Sequence, residues 1–224
     1  MKTVFIEVRS SKDVKPILEK NISLLANYQK IGLIATVQFL EQLEQTKSFL
    51  ESKGKQIFIG KGKHTVYPGQ VLGCDPCAAL EIKDNVDALL YIGTGEFHPL
   101  AVGPNKPLFV LNPSSETLSE FPQSELRRHQ NKIAARVSKV KDAQVIGILV
   151  STKPGQSNIK QAEEAKKTLE KQGKQVHLFI GDTFSPEDLN NFSEIKAWVN
   201  TACPRIVDTE SLRMPICNTS ELLK

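Results

Sequence analysis

The chain has 224 residues, of which 40% are hydrophobic and 24% are charged, and its formal net charge is +4. This composition is typical of a globular protein with a buried core and excludes a disordered chain, and the length favours two small domains. No apolar run reaches the roughly 18 residues that a membrane span needs. The excess of positive charge is too small to indicate direct binding to nucleic acid.

The amino terminus and the cysteines both bear on cellular location. The apolar run that starts at Val4 is broken by the charge of Glu7, unlike a secretory signal peptide. We therefore expect a cytoplasmic protein without a membrane partner. In that reducing compartment the four cysteines are not expected to form disulfides, which leaves metal binding, catalysis or burial.

Short apolar runs alternate with amphipathic stretches along the first half of the chain, a pattern that predicts βαβ units with parallel sheets. The predicted strands cover residues 4–8, 30–36, 56–59, 87–92 and 108–111. Helices are predicted over residues 12–28, between a cap near Thr36 and a stop at Gly54, and over residues 77–82.

The second half of the chain repeats the alternation after a basic amphipathic helix, which is predicted over residues 123–140. Strands follow at residues 144–151, 176–180 and 197–201, with helices at residues 158–172 and 186–192. The sequence therefore predicts an α/β protein of two Rossmann-like domains, whose parallel sheets are flanked by helices. We assign residues 1–122 to the first domain, 123–142 to a connecting helix and 143–224 to the second domain.

Open α/β sheets bind ligands at the carboxyl ends of their strands, and four unusual loops follow predicted strands. These loops cover residues 93–99, 151–156, 181–183 and 203–205. The loop from Ser151 to Gln156 lacks the spacing of a P-loop, so it suits the amino and carboxylate groups of an amino acid or forms an ordinary turn. Arg205 is suited to pairing with a carboxylate or to a surface salt bridge. His98 is ambiguous by itself.

Cys74 and Cys77 form a Cys-X-X-Cys motif, which is compatible with half of a zinc site, a redox pair or cluster ligands. The second half of a zinc site is missing, because Cys203 and Cys217 lie fourteen residues apart. A cysteine such as Cys203 is more often a small buried residue, and we interpret Cys217 as part of the core. Our hypothesis is that residues 69–77 and 201–205 meet around a metal cluster at the domain interface.

Four stretches, in this order, resemble the archaeal diphthamide synthase family, which catalyses the first diphthamide step. They read Gly-Gln-Val-Leu-Gly-Cys at 69–74, Gly-Glu-Phe-His-Pro-Leu at 95–100, Ser-Thr-Lys-Pro-Gly-Gln at 151–156 and Asn-Thr-Ala-Cys-Pro-Arg-Ile at 200–206. The resemblance implies a radical enzyme with a [4Fe-4S] cluster, held by three cysteines from separate domains, and with S-adenosylmethionine as cofactor. Family enzymes add a 3-amino-3-carboxypropyl group to a histidine of translation elongation factor 2 and release methylthioadenosine.

The resemblance also implies which residues bind the cluster. Cys74 and Cys203 match the second and third ligands of the family, whose open iron position binds the cofactor. The chain begins where the second family domain would begin, so we expect a shortened member without the N-terminal domain and its cysteine. Cys77 is the nearest replacement ligand. Cys217, a partner chain or a cluster-free protein are the alternatives.

The family-like loops imply the cofactor contacts and the partners. Ser151, Gln156 and Arg205 are expected to hold the amino-acid end of S-adenosylmethionine, and His98 is expected to line the same crevice. The family also implies a homodimer, or a heterodimer with a homologue, and an external electron donor. The competing hypothesis is a non-catalytic accessory subunit or a metal-binding scaffold that partners a longer homologue.

Overall fold

The computed structural model describes residues 4, 6–103, 106–208 and 211–223. The chain divides into two compact units, Met1–His129 and Gln130–Lys224, and the boundary falls within a long helix. Both units are α/β with parallel strands and flanking helices, which confirms the predicted fold class. The finer division at residues 122 and 142 stays a prediction.

The first unit is built on a five-stranded sheet in the order β2-β1-β3-β4-β5. Strands β1 to β4 are parallel, and β5 runs antiparallel to β4 at the edge. The chain passes from β1 to β2 on one side of β1 and then crosses to β3 on its other side. Such a change of direction in a parallel sheet opens a crevice at the carboxyl ends of the strands. The strands are β1 Lys30–Ala35, β2 Gln56–Phe58, β3 Ala88–Ile92, β4 Leu108–Asn112 and β5 Thr117–Glu120.

Helices cover both faces of this sheet, because successive side chains of a strand point to opposite faces. Leu33 of β1 belongs to the core cluster that includes residues of α1 and α2, whereas its neighbour Ile34 belongs to the cluster that includes residues of α3 and α4. The helices are α1 Lys15–Lys20, α2 Glu41–Ser52, α3 Cys77–Ile82, α4 Phe97–Val102 and the long α5 Gln123–Asp142, which crosses the unit boundary.

The second unit has a four-stranded, fully parallel sheet in the order β7-β6-β8-β9. One face packs on α6 through small residues such as Ala162 and Ala165, and the other face packs around Trp198. Cys217 lies fully buried in β9, as predicted. The elements are β6 Val145–Ser151, β7 Gln175–Gly181, β8 Ala197–Asn200 and β9 Ile216–Asn218, with α6 Ile159–Lys171, α7 Pro186–Asn190 and α8 Thr219–Leu222.

Two local predictions near the amino terminus are wrong. The described residues of the 4–8 stretch are not a strand, and Val4, Ile6 and Val8 stay exposed because no described strand pairs with them; Phe5 lies outside the described residues. The helix predicted over residues 12–28 divides into α1 and a 3₁₀ helix at Ile22–Leu25. Asn21 separates them, because its backbone leaves the helical region while its side chain donates to the α1 backbone.

Candidate functional site

The segment that carries the first two cysteines is attached to the end of β1. The amide of Ala35 donates to the carbonyl of Gly69 at 2.8 Å, and the amide of Val71 donates back to the carbonyl of Ala35 at 2.9 Å. These two bonds form a parallel bridge between Ala35, the last residue of β1, and Gln70. The Cys-X-X-Cys motif therefore begins at the carboxyl edge of the sheet, where ligands of α/β folds bind.

Cys74 lies at the tip of a tight turn. Leu72 and Asp75 exchange two backbone hydrogen bonds of 3.0 Å, which leaves Gly73 and Cys74 at the centre of the turn. Cys74 is exposed. Gly73 lies so close to the ring of Phe97 that a Cβ atom there would be 1.6 Å from Cε1. The turn can approach the ring only because glycine has no side chain.

Asp75, between the two cysteines, is only 1% exposed and binds backbone groups on both sides. Its Oδ1 accepts from the amide of Cys77 at 3.0 Å, and its Oδ2 accepts from the amide of His64. The Cys77 thiol lies beside the same carboxylate, and the Lys63 backbone lies beside the Cys77 sulfur. Asp75 thus joins the Cys-X-X-Cys turn to the loop over residues 60–64.

These contacts shift both pKa values in directions that follow from the geometry. Burial raises the pKa of Asp75, but the hydrogen bonds from His64 and Cys77 outweigh it and the net pKa is lowered. Burial and the carboxylate of Asp75 raise the pKa of the Cys77 thiol, against the lowering effect of Lys63. Cys77 is therefore a thiol in the metal-free chain, and metal binding would displace its proton.

His98 lies on helix α4, so the stretch predicted as a loop over residues 93–99 is partly helical. Its Nδ1 lies 3.2 Å from the hydroxyl of Tyr91, and the two rings stack at 5.9 Å between centroids. Tyr91 is fully buried, and burial raises the pKa of its hydroxyl, which is therefore uncharged. The hydroxyl fixes the orientation of the imidazole beside Phe97 and hence beside the Cys74 turn.

The carboxyl edge of the second unit holds Cys203, which is half-buried. Its loop is held by Asn200 at the end of β8. The Nδ2 of Asn200 donates to the carbonyl of Cys203 at 2.9 Å and to Oδ1 of Asn218 at 2.8 Å, and its Oδ1 accepts from the amide of Ala202 at 3.0 Å. One buried amide thus positions the cysteine loop against β9.

The three predicted cofactor contacts of the second unit follow strands β6 and β8. Ser151 is buried at the end of β6 and accepts from the amide of Lys153 at 3.1 Å. Gln156 is half-buried in the turn that follows, and Arg205 is exposed on a 3₁₀ helix at Pro204–Asp208. Asn158 links the two loops by donating to the carbonyl of Thr201 at 2.9 Å. Their role in binding S-adenosylmethionine stays a prediction.

Among the described residues, no three His, Cys, Asp or Glu side chains are close enough to hold a metal ion. The same part of the chain contains no helix that is long and apolar enough to cross a membrane. The donor set still suits an iron–sulfur cluster, because the described cysteines form no disulfide and the thiols of Cys74, Cys77 and Cys203 are at least partly accessible.

Sequence reasoning missed Asp75, Tyr91 and Asn200. Asp75 carried a usable signal, because aspartate followed by proline at the start of a predicted helix favours a side chain that binds the next backbone amides. Tyr91 and Asn200 each lie at or next to the end of a predicted parallel strand. Their partners are set by tertiary structure, and no local pattern identifies them.

The fold and these loops define a class of protein: paired α/β units with cysteines at the carboxyl edges of their sheets. The chain belongs to the family described as putative diphthamide synthesis proteins, whose family model matches residues 1–223. A 2-(3-amino-3-carboxypropyl)histidine synthase of Pyrococcus horikoshii is 32% identical over 226 residues, which cover 98% of this chain and 64% of the relative. Subunit 1 of the Schizosaccharomyces pombe synthase is 30% identical, over 92% of this chain and 48% of the relative.

A solved structure is similar over nearly the same span. The crystal structure of Dph2 from Pyrococcus horikoshii with a 4Fe-4S cluster matches with a TM-score of 0.81 and 32% identity, covering 96% of this chain and 62% of that one. The chain thus spans less than two thirds of the length of these relatives. The family resemblance seen in the sequence is confirmed.

Proposed function

We propose that this chain binds a [4Fe-4S] cluster and S-adenosylmethionine and transfers a 3-amino-3-carboxypropyl group to a histidine of translation elongation factor 2, in the cytoplasm. The observation that carries the proposal is the similarity to Dph2 of Pyrococcus horikoshii, whose crystal structure contains a 4Fe-4S cluster. The name of the related synthase gives the transferred group and its attachment at position 2 of histidine.

Cys74, Cys77 and Cys203 are the proposed cluster ligands. Support comes from the exposure of Cys74 at the tip of its turn and from the position of Cys203 at the carboxyl edge of the second sheet. The charge and backbone of Lys63 act to lower the pKa of Cys77 and would favour a thiolate there. When bound, a cluster with three protein thiolates supplies one-electron reduction and leaves one iron position open for the cofactor.

The chain's own residues would then bind and orient the cofactor. The Ser151 hydroxyl, the Gln156 amide and the Arg205 guanidinium suit an ammonium and a carboxylate, and His98 would line the crevice of the first unit. The net reaction breaks the Cγ–S bond of S-adenosylmethionine and forms a carbon–carbon bond to the imidazole. Methylthioadenosine and one proton leave, so the reaction is balanced, and an external electron donor starts it.

A homodimer, or a heterodimer with a homologue, is part of the proposal. One observation favours the heterodimer and the second candidate function, a non-catalytic accessory subunit: several relatives are named subunit 1 of their synthase. Copurification with a longer homologue and absence of iron in the isolated chain would support that second function.

The test is anaerobic reconstitution followed by iron analysis of the wild-type chain and of single cysteine variants. We expect about four irons per chain in the wild type and loss of most of the iron in Cys74→Ala, Cys77→Ala and Cys203→Ala. Cys217→Ala is the matched control and should keep its iron, because this thiol is fully buried in the core. Full iron in Cys74→Ala or Cys203→Ala would defeat the ligand assignment.

Activity is measured separately, as methylthioadenosine release from S-adenosylmethionine in the presence of a reductant and elongation factor 2. Release by the wild type and its absence in the cysteine variants support the transfer reaction. An iron-loaded wild type that releases no methylthioadenosine would refute it.

A further inference from the structure

Asp75 is the one carboxylate buried within the Cys-X-X-Cys motif, and its two oxygens bind backbone groups that are far apart in sequence. Oδ1 accepts from Cys77, two residues on, and Oδ2 accepts from His64, eleven residues back. A buried carboxylate that accepts hydrogen bonds at both oxygens is strongly held in one orientation. It therefore fixes the distance between the cysteine turn and the loop over residues 60–64.

That loop is shaped to lie against the motif. A Cβ atom on Gly60 would come within 2.2 Å of the Ala78 carbonyl oxygen, and one on Gly62 within 2.3 Å of Thr65 Oγ1 and 3.0 Å of Asp75 Oδ2. Both glycines therefore permit a backbone approach that any side chain would block. The approach holds the loop against Asp75 and the first turn of α3.

The same loop carries positive charge, with Lys61 and Lys63 flanking Gly62. The amide of Lys61 is held by a carboxylate oxygen of Glu81, on the helix that Cys77 begins. The loop is thus tied to both ends of α3, through Asp75 at its start and Glu81 near its end. The tie through Asp75 lies at the start of α3, where Cys77 is the first residue.

We propose that Asp75 is a positioning residue for the cluster site: it fixes the turn over residues 74–77 against the loop over residues 60–64, so that Cys77 is presented to the cluster in one orientation. The inference rests on the proposed function and deepens it. Hydrogen bonds to ligand sulfurs and the residues that orient ligands strongly affect metal affinity. Loss of the carboxylate should therefore weaken the cluster without unfolding the unit.

The experiment compares Asp75→Asn with Asp87→Asn in the full chain. Asp87 is a matched control, because its Oδ2 also accepts two backbone amides, from Gln29 at 3.0 Å and Lys30 at 2.8 Å, but at the amino-terminal edge of the sheet. Amide hydrogen exchange in the metal-free chain measures how firmly Asp75 holds the amides of His64 and Cys77. Iron content and charge-transfer absorption after anaerobic reconstitution measure cluster binding. If iron were lost only because the fold is destabilised, the iron content would fall equally in both variants.

For Asp75→Asn we expect exchange at the His64 and Cys77 amides to be about tenfold faster than in the wild type, and iron retention to fall below about half. Asp87→Asn should change neither. If Asp75→Asn does not fold, Gly62→Ala replaces it, because its Cβ would push the loop off the same carboxylate, and the same two changes are expected.

Two results would overturn this inference alone. One is unchanged exchange at the His64 and Cys77 amides. The other is wild-type iron retention in a variant whose two amides exchange faster. A wild-type chain that takes up no iron would overturn the proposed function and this inference with it. The two failures are therefore distinguishable from the wild-type iron content.

Discussion

Gly73 and Phe97 are in direct contact: a Cβ atom added to Gly73 would lie 1.6 Å from Cε1 of the Phe97 ring. This contact joins the turn that presents Cys74 to the helix that carries His98. Two of the predicted site segments, separated by more than twenty residues, are therefore positioned by one pair of residues.

The first prediction is that Gly73→Ala destabilises the chain by about 2 kcal/mol, because the new methyl group must displace either the turn or the Phe97 ring. The measurement is the free energy of unfolding in urea. The double variant with Phe97→Ala should recover part of the loss, since the ring is then absent. Equal destabilisation in the single variant and on the Phe97→Ala background would contradict the contact.

The second prediction concerns Asn200. Replacing it with alanine should cost about 3 kcal/mol, because the buried Asn218 side chain and the amide of Ala202 each lose a hydrogen-bond partner. Urea denaturation measures the loss. Asn190→Ala is the control. Asn190 donates one bond of 3.4 Å to the Ser211 carbonyl and accepts one of 3.1 Å from the Arg213 amide, and both bonds are exposed. Its replacement should therefore cost about 1 kcal/mol or less. Equal costs would contradict the buried network.

Much of the fold could be predicted because the parallel strands are short, mainly apolar runs between helix stop signals. Gly54 illustrates this: it ends α2 with a φ of 78°, the left-handed conformation that glycine adopts at little cost. The observed bounds of β1, β3 and β6 differ from the predicted ones by only a residue. The sheet-edge positions of the site loops followed from the parallel-strand rule alone.

The elements that sequence reasoning missed lack such local signals. Strand β5 reads Thr-Leu-Ser-Glu and has only one buried side chain, Leu118, as expected of an antiparallel edge strand. Strand β9 has only three residues and is buried through its neighbours. The hydrogen bonds between Asp75 and His64 and between Asn200 and Asn218 join residues from different elements, so they depend on the finished fold and no periodicity encodes them.

The third prediction concerns acid stability and Asp87. Hydrogen bonds from the Lys30 and Gln29 amides lower the pKa of this carboxyl, against a smaller raising effect of desolvation. Because the folded pKa lies below the unfolded value of about 3.9, the contribution is fully present above that value and is lost as pH falls through the folded pKa. Wild type should therefore exceed Asp87→Asn in stability at pH 6, and the difference should shrink on acidification.

The measurement for Asp87 is a series of urea unfolding curves between pH 6 and pH 3. Asp84→Asn is the control, since it removes the same charge three residues earlier, in the 3₁₀ helix at Lys83–Asn85. A stability difference between wild type and Asp87→Asn that does not change with pH would contradict the role of the ionised carboxylate.

The fourth prediction is an order of thiol reactivity in the metal-free chain, because alkylation requires an accessible thiolate. Cys74 is exposed and should react fastest with iodoacetamide. Cys77 should be slower, since burial and Asp75 raise its pKa. Burial raises the pKa of Cys217 to about 12, so it should not react in the folded chain at pH 8, where only about one molecule in ten thousand would be a thiolate. Mass spectrometry of each cysteine peptide over time gives the rates.

Urea is the control: it should make Cys217 as reactive as Cys74, because unfolding removes the burial that keeps its proton. Labelling of native Cys217 at the rate of Cys74 would contradict its burial in β9 and would return it to the candidates for the third cluster thiolate.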